Sequence, residues 1–262
     1  MPSTDIRTPT INYQALYDGH AQYAKRRLDG SFEQRQILLE VLDFKIPHLL
    51  AQLPPGWQAH SVLEIGCATG ELVAHFPLAA PVTRTGSDIS AENVAAARRR
   101  FPGTDFHHGD FRELAPRRFD AVILSDVLEH VEDDVGFLRD AAHLGTTVLV
   151  NLPLECNWLN DRRRYGPQDG SGHLRRYTLA QGLDLFARAG LHVTSWQRVW
   201  IHELPVEAKR RALRHELLGQ AYSGNPIVQA TKTAVDMAAR AVPAFGRRLH
   251  ASTLFAAAET QA

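Results

Sequence analysis

Val62-Leu63-Glu64-Ile65-Gly66-Cys67-Ala68-Thr69-Gly70 decides how this chain is read. An apolar run ends in a turn bounded by two glycines, and a helix-forming stretch, Glu71 to Phe76, follows at once. The order is strand, tight turn, helix start. Glycine has no Cβ and accepts positive φ, so the backbone of such a turn can approach a ligand closely. The start of the helix adds amides that have no intrahelical partner. This arrangement suits a nucleotide-like cofactor at the carboxyl edge of a parallel sheet. A plain β–α turn can carry the same glycines, so the segments that follow decide between the two.

A second strand, Val82 to Ser87, ends at Asp88. It lies roughly 20 residues after the glycine turn, where a carboxylate can accept both hydroxyls of a ribose. Asp88 or Ser90 can equally cap a helix that begins at Ala91. A third strand end brings an acid and an aromatic together, Asp110 and Phe111. The first can accept from an adenine amino group and the second can lie against the ring. A fourth strand, Phe119 to Leu124, leads into Ser125-Asp126-Val127-Leu128-Glu129-His130-Val131.

In this order and spacing, Glu64 to Gly70, Asp88, Gly109-Asp110-Phe111 and Asp126 to Val131 resemble the motifs of class I S-adenosylmethionine-dependent methyltransferases. The resemblance covers about residues 60–200 and returns near 250–259. It implies an α/β Rossmann-like fold: a seven-stranded, mostly parallel sheet with helices on both faces, the last strand antiparallel between the fifth and sixth. It also implies S-adenosylmethionine as cofactor. Glu64, Gly66, Cys67, Ala68 and Gly70 would meet the methionine moiety, Asp88 with Ile89 the ribose, Asp110 with Phe111 the adenine, and Ser125 the amino-acid part. Ala68 stands where the family often has a third glycine, and its small side chain is expected to alter the turn only slightly. The Gly-x-Gly-x-x-Gly pattern of nicotinamide-dependent oxidoreductases is not matched. Such an oxidoreductase and a non-catalytic cofactor-binding subunit are the alternatives.

Composition sets the bounds. The 262 residues are 44% hydrophobic, enough for one α/β domain with additions. A formal net charge of zero gives no footing for nucleic acid or an anionic membrane. No run reaches the roughly 18 apolar residues of a membrane helix, and Met1 to Thr10 has no apolar signal core. Only two cysteines occur, one inside the cofactor turn, which fits a reducing compartment and a cytoplasmic location. The thirteen histidines include the pairs His107-His108 and His202-Glu203, but neither has the His-Glu-x-x-His ligand spacing, so no metal is expected.

Residues 1–55 read as an N-terminal helical lid, helical over 13–28 and 32–52, and residues 56–262 as the methyltransferase domain. Helices expected at 206–218 and 227–241 form an insertion, about 203–245, whose apolar faces are compatible with a homodimer. The acceptor is expected to be a small or sugar-like molecule bound over the sheet edge. The long loop from Asn151 to Tyr177 carries Arg162, Arg163, Arg164, Arg175 and Arg176, the pattern of a solvated basic loop or of a site for an anionic acceptor. Tyr17, Glu155, Arg176 and Tyr177 are the candidate acceptor contacts. Gly172-His173-Leu174-Arg175-Arg176-Tyr177 resembles a segment found at this point in small-molecule and glycan-modifying members. His173 is the first candidate to take a proton from an acceptor hydroxyl and His130 the second. The expected reaction is in-line methyl transfer, to oxygen rather than nitrogen.

Overall fold

The computed structural model describes residues 12–19, 21–166, 169–200, 209–210, 212–214, 216, 231, 234–235, 237–239 and 241–260. Most of the helical insertion expected at 206–241 lies outside the described residues, as does the 1–10 segment.

Among the described residues seven strands form one sheet, in the order β3-β2-β1-β4-β5-β7-β6. They are β1 (Ser61–Ile65), β2 (Thr83–Asp88), β3 (Asp105–His108), β4 (Phe119–Ser125), β5 (Gly145–Leu154), β6 (Leu191–Val199) and β7 (Ser252–Thr260). The first five pair in parallel, and β7 runs antiparallel between β5 and β6, as the resemblance implies.

Side chains alternate across each strand, which sorts the apolar residues into two cores. Leu63, Val122, Val148, Val150 and Leu254 face one side, where α7 (Asp134–Ala142) and α8 (Leu179–Arg188) pack through Leu138, Leu185 and Phe186. Val62, Ile123, Leu149 and Phe255 face the other. There they meet α5 (Glu71–His75), α6 (Ala91–Arg100) and α4 (Ile46–Leu50) through Leu72, Val94 and Leu49. A central strand buried on both faces is apolar along its middle, which is why β4 and β5 carry the hydrophobic runs Ala121 to Leu124 and Val148 to Val150.

The N-terminal region is a chain of short helices: α1 (Tyr13–Gly19), α2 (Ala21–Arg26), α3 (Phe32–Glu40) and a π-helical turn, Val41–Lys45, that runs straight into α4. A π turn holds one residue more than an α turn and re-aims the side chains after it. Helix α9 (Pro243–Leu249) precedes β7.

Candidate active site

At the carboxyl ends of β1 to β4 the strand order reverses around β1 and β4, and a cleft of about 780 Å³ opens there. That volume is within the usual range for small-molecule and cofactor sites. The glycine turn forms one wall. Gly66 has φ +72, and a Cβ there would lie 2.7 Å from the Val127 side chain. Gly70 has φ +86, and a Cβ there would collide with the Phe106 ring at 2.7 Å. Both positions therefore need glycine for conformation and for space.

Ala68 also adopts a left-handed conformation, φ +46, so this turn uses an alanine where glycine would be unstrained. Its amide donates to Asp88 Oδ2 at 2.8 Å, while Asp88 Oδ1 accepts from the Ser90 amide at 2.9 Å. The cap of α6 is Ser90, whose Oγ accepts from the Asn93 amide at 3.1 Å. Asp88 thus fastens the glycine turn to the end of β2 and, with Ile89, lines the cleft.

Glu64 points from β1 towards α5, where Oε2 accepts from the Val73 amide at 2.9 Å. Burial pushes its carboxyl up to about 8, against the opposing pull of Lys45 and the Val73 amide. Cys67 is buried, and burial likewise holds its thiol well above the ordinary range. Asp110 caps a short 3-10 turn and pairs with Arg112 at 3.1 Å. Phe111 lines the cleft but packs mainly into the core, against Phe137 at 4.8 Å between ring centroids. Ser125 Oγ accepts from Asn151 Nδ2 at 3.0 Å. The structure therefore brings Glu64, Gly66, Cys67, Ala68, Asp88, Ile89, Asp110, Phe111 and Ser125 to one cavity, with Gly70 closing the turn behind it.

Lys45 is a member of this site that sequence reasoning missed. Its Nζ lies 2.7 Å from Asp126 Oδ2, and Asn151 Nδ2 donates to the other oxygen at 3.0 Å. Burial disfavours the ammonium, but the Asp126 carboxylate outweighs it and holds the Lys45 pKa above the ordinary lysine value. A signal was available. Val41, Lys45 and Leu49 are four apart, so the lysine lies on the stripe that the apolar residues bury.

The opposite wall is aromatic and histidine-rich. Tyr13 and Tyr17 stack at 5.9 Å, Tyr23 meets Tyr17 edge-on at 5.0 Å, and His130 stands 6.1 Å from the Tyr17 ring. His130 and His173 meet edge to face at 4.7 Å. The Leu174 amide donates to the Glu129 carbonyl at 2.8 Å, which seats the loop after β5 on the 3-10 turn Leu128–His130 after β4. Burial and the neighbouring His173 lower the His130 pKa to about 4.

Three of the expected acceptor contacts lie elsewhere. Glu155 stands behind His173, its Oε2 2.7 Å from Nδ1, and its Oε1 pairs with Arg163 at 2.6 Å. Its carboxylate is spent on holding those two side chains, not on the cleft. Tyr177 is only 5% exposed and turned into the core, where its hydroxyl donates to Asp134 at 2.8 Å. Arg176 lines a separate cavity of about 590 Å³ with Arg198, Arg247 and Arg248 and pairs with Asp161 at 3.0 Å. Arg175 pairs with Asp134 and Arg163 with Asp169. Arg163, Arg175 and Arg176 are thus each neutralised by an acid of the loop or of α7, which leaves less of the loop's positive charge to an anionic acceptor.

The donor set fits S-adenosylmethionine. Asp88 keeps free lone pairs for ribose hydroxyls, Lys45 offers an ammonium to a carboxylate, and the Tyr17 face with Glu64 and Asp126 suits a cationic sulfonium and amine. The fold is that of the class I S-adenosylmethionine-dependent methyltransferases. Residues 62–144 match the family model described as a methyltransferase domain.

Over 105 residues the chain is 38% identical to the ubiquinone biosynthesis O-methyltransferase of Rhodopseudomonas palustris (strain TIE-1), covering 37% of this chain and 41% of that one. Over 93 residues it is 36% identical to a Streptomyces fradiae N,N-dimethyltransferase acting on dTDP-3-amino-3,6-dideoxy-alpha-D-glucopyranose, covering 33% and 36%. The match thus spans about two fifths of the length of these curated relatives. Among solved structures, phosphoethanolamine N-methyltransferase 2 of Haemonchus contortus with S-adenosyl-L-methionine superposes with a TM-score of 0.64 at 13% identity. That superposition covers 97% of this chain and 61% of the other. Magnesium protoporphyrin IX methyltransferase from Synechocystis PCC 6803 superposes at 0.53 and 15% identity, covering 95% of each. Among the described residues no helix is long and apolar enough to cross a membrane.

Proposed function

We propose that this protein transfers a methyl group from S-adenosylmethionine to a hydroxyl oxygen of a small-molecule acceptor. The observation that carries the choice of oxygen is His173. Its Nδ1 lies 2.7 Å from the Glu155 carboxylate, and the residue lines the cleft. With Nδ1–H donated to the carboxylate, the lone pair rests on Nε2, the geometry of a general base held by an orienting acid.

S-adenosylmethionine, when bound, supplies a methyl already activated on a sulfonium. The protein's residues then have three tasks. Asp88, Lys45 and the glycine turn fix the cofactor. Tyr13, Tyr17 and Tyr23 cover the acceptor side and exclude water. His173 receives the acceptor's hydroxyl proton at Nε2, and the Glu155 carboxylate stabilises the imidazolium so formed. Alignment of the reacting atoms is the largest contribution, on the order of 7–11 kcal/mol in well-oriented systems.

Titration calorimetry with S-adenosylmethionine and S-adenosylhomocysteine, alongside NADH, tests the cofactor. Binding of the adenosyl pair alone is expected, and a preference for NADH or binding of neither overturns the reading. A labelled-methyl screen over phenols, hydroxylated metabolites and amino sugars then tests the acceptor. The amino-sugar relative favours a second reading, transfer to nitrogen. A neutral amine needs no base, so an amine acceptor methylated at an undiminished rate by His173→Gln would select that reading.

A further inference from the structure

Glu129 is 1% exposed, and neither of its carboxylate oxygens has a hydrogen-bond partner. An unpaired buried carboxylate is costly, and folded proteins leave few such groups without a reason. The residue lines the cleft beside two imidazoles, with Oε1 3.8 Å from His130 Nε2. One ligand atom from each of Glu129, His130 and His173 can be chosen so that all lie within 4.8 Å of one another.

Both imidazoles are held from behind. His130 Nδ1 lies 3.1 Å from the Gly172 carbonyl, and His173 Nδ1 lies 2.7 Å from Glu155 Oε2. A carbonyl and a carboxylate can only accept, so each Nδ1 carries the proton and each Nε2 carries the lone pair. Histidines that ligate metals are oriented in this way, by a carboxylate or a backbone carbonyl on the other ring nitrogen. Gly172 sets the geometry further: a Cβ there would lie 2.9 Å from Leu16 and 3.4 Å from His130 Nδ1.

We propose that Glu129, His130 and His173 form a binding site for a divalent transition-metal cation of the zinc, manganese or iron type on the acceptor wall of the cleft. Two imidazoles and one carboxylate suit these borderline ions and leave coordination positions open. Ligands about 2.1 Å from a tetrahedral ion stand about 3.4 Å apart, so the three side chains close by about 1–1.5 Å on loading. The His173 Nε2 lone pair can serve the cation or the acceptor's proton but not both, so a bound cation and the base step at His173 exclude each other. That last point rests on the acceptor reading above, whereas the cation site itself does not.

The test uses the tag-free full chain, stripped with chelator and dialysed against Zn²⁺ or Mn²⁺, with Co²⁺ absorption reporting the ligand set. About one equivalent is expected in the wild type. Glu129→Gln and His173→Gln are each expected to weaken binding at least about tenfold, and His143→Ala, exposed at the end of α7, to leave it unchanged. S-adenosylhomocysteine binding, measured separately, certifies that each variant keeps its cleft, and His130→Gln replaces any variant that does not. No stoichiometric binding, or binding indifferent to all three ligand substitutions, overturns the site. Failure of the wild type to bind S-adenosylhomocysteine strikes the methyltransferase reading instead and leaves the metal titration standing.

Discussion

The half of the cleft that we assign to the cofactor takes its residues from the ends of adjacent strands, between Glu64 and Ser125, whereas the half assigned to the acceptor gathers Tyr17, Glu129, His130 and His173 from three separate segments. The first half is held by backbone geometry: positive φ at Gly66, Ala68 and Gly70, and a carboxylate at Asp88 that accepts two main-chain amides. The second is held by side chains and loop docking, through Glu155, Arg163 and Asp169 and through the Leu174 amide on the Glu129 carbonyl. Backbone-built sites constrain their ligand tightly. Sites built on loops can change their acceptor without disturbing the sheet.

His173→Gln tests that division most severely. It is expected to lower kcat with a hydroxyl acceptor by about 10²–10⁴, while calorimetry finds S-adenosylhomocysteine affinity unchanged. An equal loss of cofactor affinity would show that the two halves are not separable. Glu64 gives the next largest effect. Its folded pKa of about 8 lies above the unfolded carboxyl value, so its contribution to stability is full below the unfolded pKa and is lost as pH rises through 8. Chemical denaturation is expected to show a fall of about 3 kcal/mol from this group between pH 6 and 9, flattened in Glu64→Gln.

Asp88→Ala should weaken cofactor binding at least about tenfold, or 1.4 kcal/mol. Near-normal affinity by calorimetry would mean that the carboxylate serves only the turn. The smallest effect is expected of Ala68→Gly. Relief of the left-handed strain, about 1 kcal/mol, nearly cancels the added freedom of the unfolded chain, about 0.4–1 kcal/mol. Thermal melts of the two proteins should therefore nearly coincide.

The same division explains what could be read without coordinates. The strands and the residues that line the strand-end wall of the cleft were legible because each feature is local: a glycine turn, an acid at a strand end, an aromatic after the next. The antiparallel place of β7 came from the family resemblance, since nothing in Thr253 to Ala258 names its partners. The acceptor wall was legible only as isolated candidates. His173 and Glu155 were each singled out, yet their 2.7 Å contact joins positions eighteen apart across a loop. Spacing along the chain singles out His107-His108 and His202-Glu203, whereas the fold brings Glu129 and His130 to His173. Arg176 and Tyr177 misled because charge and aromaticity do not reveal which acid, or which side of the sheet, a loop residue meets.

The place of β7 has a consequence for how the protein is made. Phe255, on that strand, packs against Phe44 at 5.2 Å and stacks on His48 at 5.1 Å, in the helical segment that carries Lys45. During synthesis β5 can pair with β4 as soon as it emerges, but its other edge and β6 lack their neighbour in the sheet until residues 252–260 arrive between them. Until then the buried strand β5 keeps one edge unpaired, the state in which a nascent chain is most prone to pair wrongly. The helical segment that brings Lys45 to the cleft rests on Val62, Ile123 and Leu149 as well, but it gains its aromatic support from Phe255 only at that point.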